Sequence, residues 1–126
     1  MNESSSAELS RIRDLIGLGQ YDEALQTVIA LQQTLEGVQG AQAFLLRGLA
    51  LIGLGQPERA ERSFRTAYSI VRYAPPSEIA AQRILAEAAE RIGRRDEAIA
   101  AYQIVLAAQP AEATVKAALA KLQHSK

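Results

Sequence analysis

The sequence predicts an all-α protein: a solenoid of three stacked helix-turn-helix hairpins followed by a C-terminal capping helix, about seven helices in all. Three observations carry this. Leu15-Ile16-Gly17-Leu18-Gly19-Gln20 recurs letter for letter as Leu51-Ile52-Gly53-Leu54-Gly55-Gln56, 36 residues later. Of 126 residues 24 are alanine and only 5% are aromatic. The core must therefore be built from alanine, leucine and isoleucine, which suits closely packed helices better than sheets. Apolar residues recur at spacings of three and four, and no segment alternates as a strand does. A period in this range marks helical hairpins stacked in a row.

The elements follow in order. A first helix over about 5–18 is read from Leu9, Ile12, Leu15 and Ile16, with Ser5 and Glu8 as a Ser-x-x-Glu capping box. Gly19 ends it by taking the left-handed backbone conformation. Ala24, Leu25, Val28 and Leu31 place a second helix over about 21–35. Phe44, Leu45, Gly48, Leu49, Leu51 and Ile52 place a third over about 41–53, closed by Gly55. Pro57 opens a fourth, about 57–73, where its missing N–H is harmless. Pro75-Pro76 breaks the chain, and Ser77 is expected to cap a fifth helix over about 77–92. Gly93 repeats the turn 38 residues after Gly55, and Ala98, Ile99, Tyr102 and Val105 place a sixth helix over about 95–108. Beyond Pro110, the stripe Val115, Ala118, Leu119 and Leu122 makes a seventh, about 111–124, which covers the last hairpin as solenoid ends require.

Composition excludes several chemistries. Without cysteine there is no disulfide framework, thiolate zinc site or cysteine nucleophile. The one histidine, His124, lies at the C-terminal end. Fourteen basic residues balance fourteen acidic ones, which argues against a nucleic-acid or anionic-membrane binder. No apolar run approaches the roughly 20 residues of a membrane span, and Met-Asn-Glu-Ser-Ser-Ser is not a signal peptide start. A soluble, cytoplasmic protein is expected. Gly17-x-Gly19 is read as a hairpin turn and not a phosphate loop, since no strand precedes it and it recurs between helices. No nucleophile, base and oxyanion donor converge, so no enzyme, metal, cofactor or small-molecule substrate is expected.

Eleven of the fourteen basic residues are arginine. Arg59, Arg62 and Arg65 share one face of the fourth helix, but Glu58 and Glu61 precede Arg62 and Arg65 by four, the favourable order for intrahelical pairs. A self-neutralised solvated face is the expectation. Arg83, Glu87, Glu90 and Arg91 form a similar ladder on the fifth helix.

Gly19-Gln20-Tyr21-Asp22-Glu23-Ala24, with Val28 four residues on, resembles the tetratricopeptide repeat, whose pattern runs over about 34 residues. Phe44, Gly48, Leu51, Ala60, Phe64 and Ala67 match in the second unit; Leu85-Ala86, Ala89, Ala98, Tyr102, Val105 and Pro110 match in the third. The first fits less well, with Ile12 at the small-residue site. The resemblance implies a single right-handed superhelical domain over 1–126, with repeats about 5–38, 41–74 and 79–112 and a cap about 111–124. The units exceed the consensus by about two and four residues. The excess is expected to lengthen a loop around Gly37 and Gly40 and to add a turn to the fourth helix before Pro75.

By the same resemblance, the first helix of each hairpin lines a concave, peptide-binding groove. Its inward positions are Leu9, Arg13 and Ile16; Gln42, Leu45, Leu46, Leu49 and Ile52; then Arg83, Ile84, Glu87, Glu90 and Arg91. The third helix is apolar almost all round, so two or three of its leucines are expected to be exposed unless a partner covers them. Some members of the family hold the C-terminal carboxylate of heat-shock chaperones with groove lysines, asparagines and arginines; the matching positions here include Leu9, Arg13, Leu46, Ala80 and Ile84, so that docking is not expected. The implied function is a non-enzymatic adaptor, scaffold or small chaperone that binds a peptide or amphipathic helix of another protein. Two alternatives stay open. One is a homo-oligomer built through the apolar groove or the convex face. The other is a module of a larger repeat protein, against which the Met1 start and the polar cap count mildly.

Overall fold

A computed structural model describes residues 3–124. Seven helices run in chain order: α1 (Glu3–Gly17), α2 (Tyr21–Gln32), α3 (Gly37–Gly53), α4 (Pro57–Val71), α5 (Ile79–Arg91), α6 (Arg95–Ala108) and α7 (Ala113–His124). No strand occurs among the described residues. Helices α1 and α2, α3 and α4, and α5 and α6 pack as hairpins, and each hairpin packs on the next. The helices stack as an all-α repeat solenoid.

One turn closes the first helix of every hairpin. Gly19, Gly55 and Gly93 have φ of 79°, 76° and 84°, a left-handed backbone that only glycine adopts without strain. The amide after each glycine donates back to the end of the helix: Gln20 to Leu15, Gln56 to Leu51 and Arg94 to Ala89, at 2.9, 2.9 and 2.8 Å. The glycine amides donate to Ile16, Ile52 and Glu90. This doubled bond satisfies carbonyls that a helix end would otherwise leave unpaired. The repeated Leu-Ile-Gly-Leu-Gly-Gln is therefore a repeated helix stop.

The expected starts and joints needed correction at three places. Helix α1 already includes Glu3, so Ser5 lies within the helix and not at the position before its first residue. Helix α5 begins at Ile79 after Glu78, and Ser77 makes no cap. The residues around Gly37 and Gly40 do not lengthen a loop: they form the first turn of α3, which runs to 17 residues. There Gly40 is buried, with a Cβ at that position only 3.3 Å from the carbonyl oxygen of Leu35. Pro57 opens α4 as expected, and α4 is three residues longer than α2.

Two apolar clusters share α3. Leu9, Ile12 and Leu15 of α1 and Ala24 and Val28 of α2 pack on Ala43, Leu46 and Ala50 of α3. Ala41, Leu45 and Leu51, on its other side, join Phe64, Tyr68 and Val71 of α4 and run on through α5 and α6 to Val115 and Leu119 of α7. Helix α3 thus has neighbours in α1, α2, α4 and α5. Leu45 and Leu46 are each 0% exposed. The expectation of exposed α3 leucines is overturned: an all-round apolar helix here is one buried on both sides, because a middle element of a solenoid meets a hairpin before it and one after it.

Glycine allows two of these contacts. A Cβ on Gly48 would lie 2.4 Å from Phe64 Cε1, and one on Gly53 would lie 2.3 Å from Tyr21 Cδ1. The first sets how closely α3 and α4 approach within a hairpin, the second how closely the first two hairpins stack.

Candidate functional site

A cavity of about 520 Å³ is bounded by Arg13 of α1, Gln42 and Leu45 of α3, residues of α5, Tyr102 of α6 and Thr114, Val115 and Ala118 of α7. Its position follows from the stacking. The first helices of the hairpins pack side by side, α1 on α3 and α3 on α5, while among the described residues the backbone of α7 closely approaches that of α6 alone. The space between α5 and α7 stays open, and α7 becomes a wall of the cavity as well as the cover of the last hairpin.

Half of the polar side chains of the cavity come from one face of α5: Arg83, Glu87, Glu90 and Arg91. They do not form the intrahelical ladder expected from their spacing. Arg83 reaches the segment before α7, where its Nη2 donates to Glu112 Oε2 at 2.8 Å and to Gln109 Oε1. Glu90 Oε1 accepts from the Tyr102 hydroxyl at 2.8 Å. The Arg91 guanidinium lies over the Phe64 ring, 5.7 Å from its centroid, a favourable cation–π placement. Glu87 is half-buried and no ion pair joins it to Arg13 or Arg91 among the described residues.

Burial raises the Glu87 carboxyl above its usual value; the charge of Glu90 adds to this and those of Arg13, Arg91 and Arg83 oppose it. The Tyr102 phenol is also pushed up, first by burial, then by its hydrogen bond to Glu90 and the charges of Glu90 and Glu87. The phenol is a fixed hydrogen-bond donor here. Among the described residues the cavity therefore presents two guanidinium groups without carboxylate partners, two half-buried carboxylates of which Glu90 is bonded to Tyr102, and apolar side chains from α3, α5 and α7.

Of the residues expected to line a groove, Arg13, Gln42, Leu45, Arg83, Glu87, Glu90 and Arg91 come together in this cavity, with Ile84. The others do not. Leu9, at 1% exposure, and Leu46, at 0%, belong to the core between the first two hairpins. Ile16 and Leu49 are half-buried against it. Ile52 is 43% exposed but lies outside the cavity. Tyr102 and the α7 residues were missed: Tyr102 occupies a core position of its repeat, and the α7 stripe read as a cover only.

Among the described residues no three His, Cys, Asp or Glu side chains converge as metal ligands do. No helix among them is long and apolar enough to cross a membrane.

The tetratricopeptide-repeat family model matches residues 9–75, 45–113 and 83–124, which together span nearly the whole chain. The chain belongs to the tetratricopeptide repeat family. Tetratricopeptide repeats are generally protein–protein interaction modules, and the fold is typically non-enzymatic. No curated protein matches the chain. The buried alanines Ala24, Ala60 and Ala98 sit one after each hairpin turn.

Proposed function

We propose that the cavity between α1, α3, α5 and α7 receives a segment of another protein, making this chain an adaptor or scaffold. The observation that carries the reading is the pairing state of its polar lining: Arg13 and Glu87 line the cavity with no ion pair among the described residues. Groups left available in a concave site are those a ligand can engage.

Eight of the thirteen lining residues are polar or charged, which suits an extended segment with polar contacts better than the apolar face of an amphipathic helix. An extended segment would place acceptors on Arg13 and Arg91, a donor on Glu87, and small apolar side chains against Ile84 and Val115. Self-association through an apolar groove loses its support, since Leu45 and Leu46 are core.

The test is site-specific photo-cross-linking in the native lysate, with the probe at Gln42 in the cavity or at the exposed Gln103 on α6. The expected result is a discrete adduct from Gln42 only, lost when Arg13→Glu is added to an otherwise equally stable protein. Equal capture from both positions, or capture indifferent to Arg13→Glu, would overturn the assignment.

A further inference from the structure

On the side of α3 away from Gln42 and Leu45, three guanidinium groups meet over a second, smaller cavity. Arg47 of α3 and Arg59, Arg62, Ser63 and Thr66 of α4 line about 200 Å³ together with the Phe44 ring. The spacing brings them there: 44 and 47 are one turn apart on α3, and 59, 62, 63 and 66 run along one face of α4. No carboxylate lines the space.

The expected neutralisation of these arginines is absent. Glu61 is taken by Arg65, at 2.7 and 3.0 Å, and Arg65 lies outside the cavity. No ion pair joins Glu58 to Arg62 among the described residues. Arg59 donates one Nη to the neutral Gln56 side chain at 2.6 Å, which leaves its charge uncompensated.

Arg47 supplies the second observation. Its Nε–H is cut off from solvent and has no acceptor. Leaving a charged donor dry and unpaired is destabilising. Arg47 lines the cavity with no carboxylate partner among the described residues, so an anion there would meet three unmatched positive charges.

We infer that this pocket is an oxyanion site with the chemistry of a phosphate monoester. Guanidinium forks match the oxygens of phosphate geometrically. A phosphate monoester carries about −1.5 to −2 at neutral pH, closer to the charge offered here than a single carboxylate. The volume lies below the roughly 300 Å³ at which small-molecule sites begin, so it admits the anionic group and not a nucleotide around it. The group would come as inorganic phosphate or as a phosphorylated side chain.

The experiment is an NMR titration of the full chain with sodium phosphate, against sodium chloride at matched ionic strength. Saturable shifts at residues around Arg47 and Arg62 are expected with phosphate and not with chloride. Arg62→Gln and Arg47→Gln should each weaken binding about tenfold or more, the scale of a lost charge-assisted contact. Arg65→Gln should bind as the parent does. Arg62 and Arg65 are exposed, so the comparison between them holds even if Arg47→Gln lowers the melting temperature. Tighter binding of a short phosphoserine peptide than of phosphate assigns the site to a phosphorylated chain; equal affinity assigns it to the free ion. Shifts no different from those with chloride, or equal weakening in Arg65→Gln, would overturn the proposal.

Discussion

The Phe64 ring rests on the bare Cα of Gly48: a Cβ there would lie 2.4 Å from Cε1, 2.7 Å from Cδ1 and 2.8 Å from Cζ. Phe64 is 2% exposed, so the ring has no free space to move into. Gly48→Ala is expected to destabilise by about 1–3 kcal/mol, the range for overpacking a filled core. Combined with Phe64→Leu, part of that loss should be cancelled, since the two residues share one space. Thermal melts of the two single variants and the double variant measure the coupling; strict additivity would contradict the contact.

Leu45 and Ile52 both belong to the apolar surface of α3, yet they are 0% and 43% exposed. Leu45→Ala should cost about 2–5 kcal/mol, as for other fully buried leucines. Ile52→Ala should stay within about 1 kcal/mol. Urea unfolding of both variants checks the assignment, and similar losses would refute it.

Glu87 holds its proton more tightly in the folded chain than a free carboxyl of 4.5 does, chiefly because it is half-buried. The stability it contributes is therefore present below pH 4.5 and lost as the pH rises through the folded value. Glu90 facing it strengthens this, while Arg13, Arg91 and Arg83 weaken it. Glu87→Gln should melt higher than the parent at neutral pH, with the gap closing as the pH falls towards 4.5. Melting curves across that interval check the sign; a parent that melts higher at neutral pH would reverse it.

Helix α7 is tied to the rest of the chain at both ends. Arg83 pairs with Glu112 just before it, and Arg95 Nε and Nη2 donate to the Leu122 carbonyl at 2.9 and 2.6 Å. Arg83→Ala should lower global stability by no more than about 1 kcal/mol, since the pair is partly exposed. It should nonetheless speed amide exchange over Ala113–His124 more than in α6, because the last element of a solenoid opens locally. Uniform acceleration across both helices would argue against this tether.

Helix identity and order were legible in the chain because their determinants are local. Gly19, Gly55 and Gly93 stop three helices by backbone conformation alone, and Pro57 starts one, whatever packs around them. Ser5 and Ser77 misled because capping depends on where the first turn begins, which a serine's place in the chain does not fix. About half of the expected groove was legible for the same reason: Arg13, Gln42, Arg83, Glu87, Glu90 and Arg91 sit on helix faces that periodicity identifies.

What the sequence by itself determined is the repeat, its turns and the family, since each is written within about 36 consecutive residues. What only the tertiary structure decided is which apolar and charged faces are covered. Leu45 and Leu46 look alike in the chain, yet they belong to different clusters because α3 has a hairpin on either side. Glu58 and Glu61 both precede an arginine by four, yet only Glu61 makes its pair. Arg47, on the neighbouring helix, brings a third guanidinium to Arg59 and Arg62, a meeting of α3 and α4 that no spacing within either helix records. Exposure and charge balance are properties of neighbours distant in sequence, and packing alone brings those neighbours together.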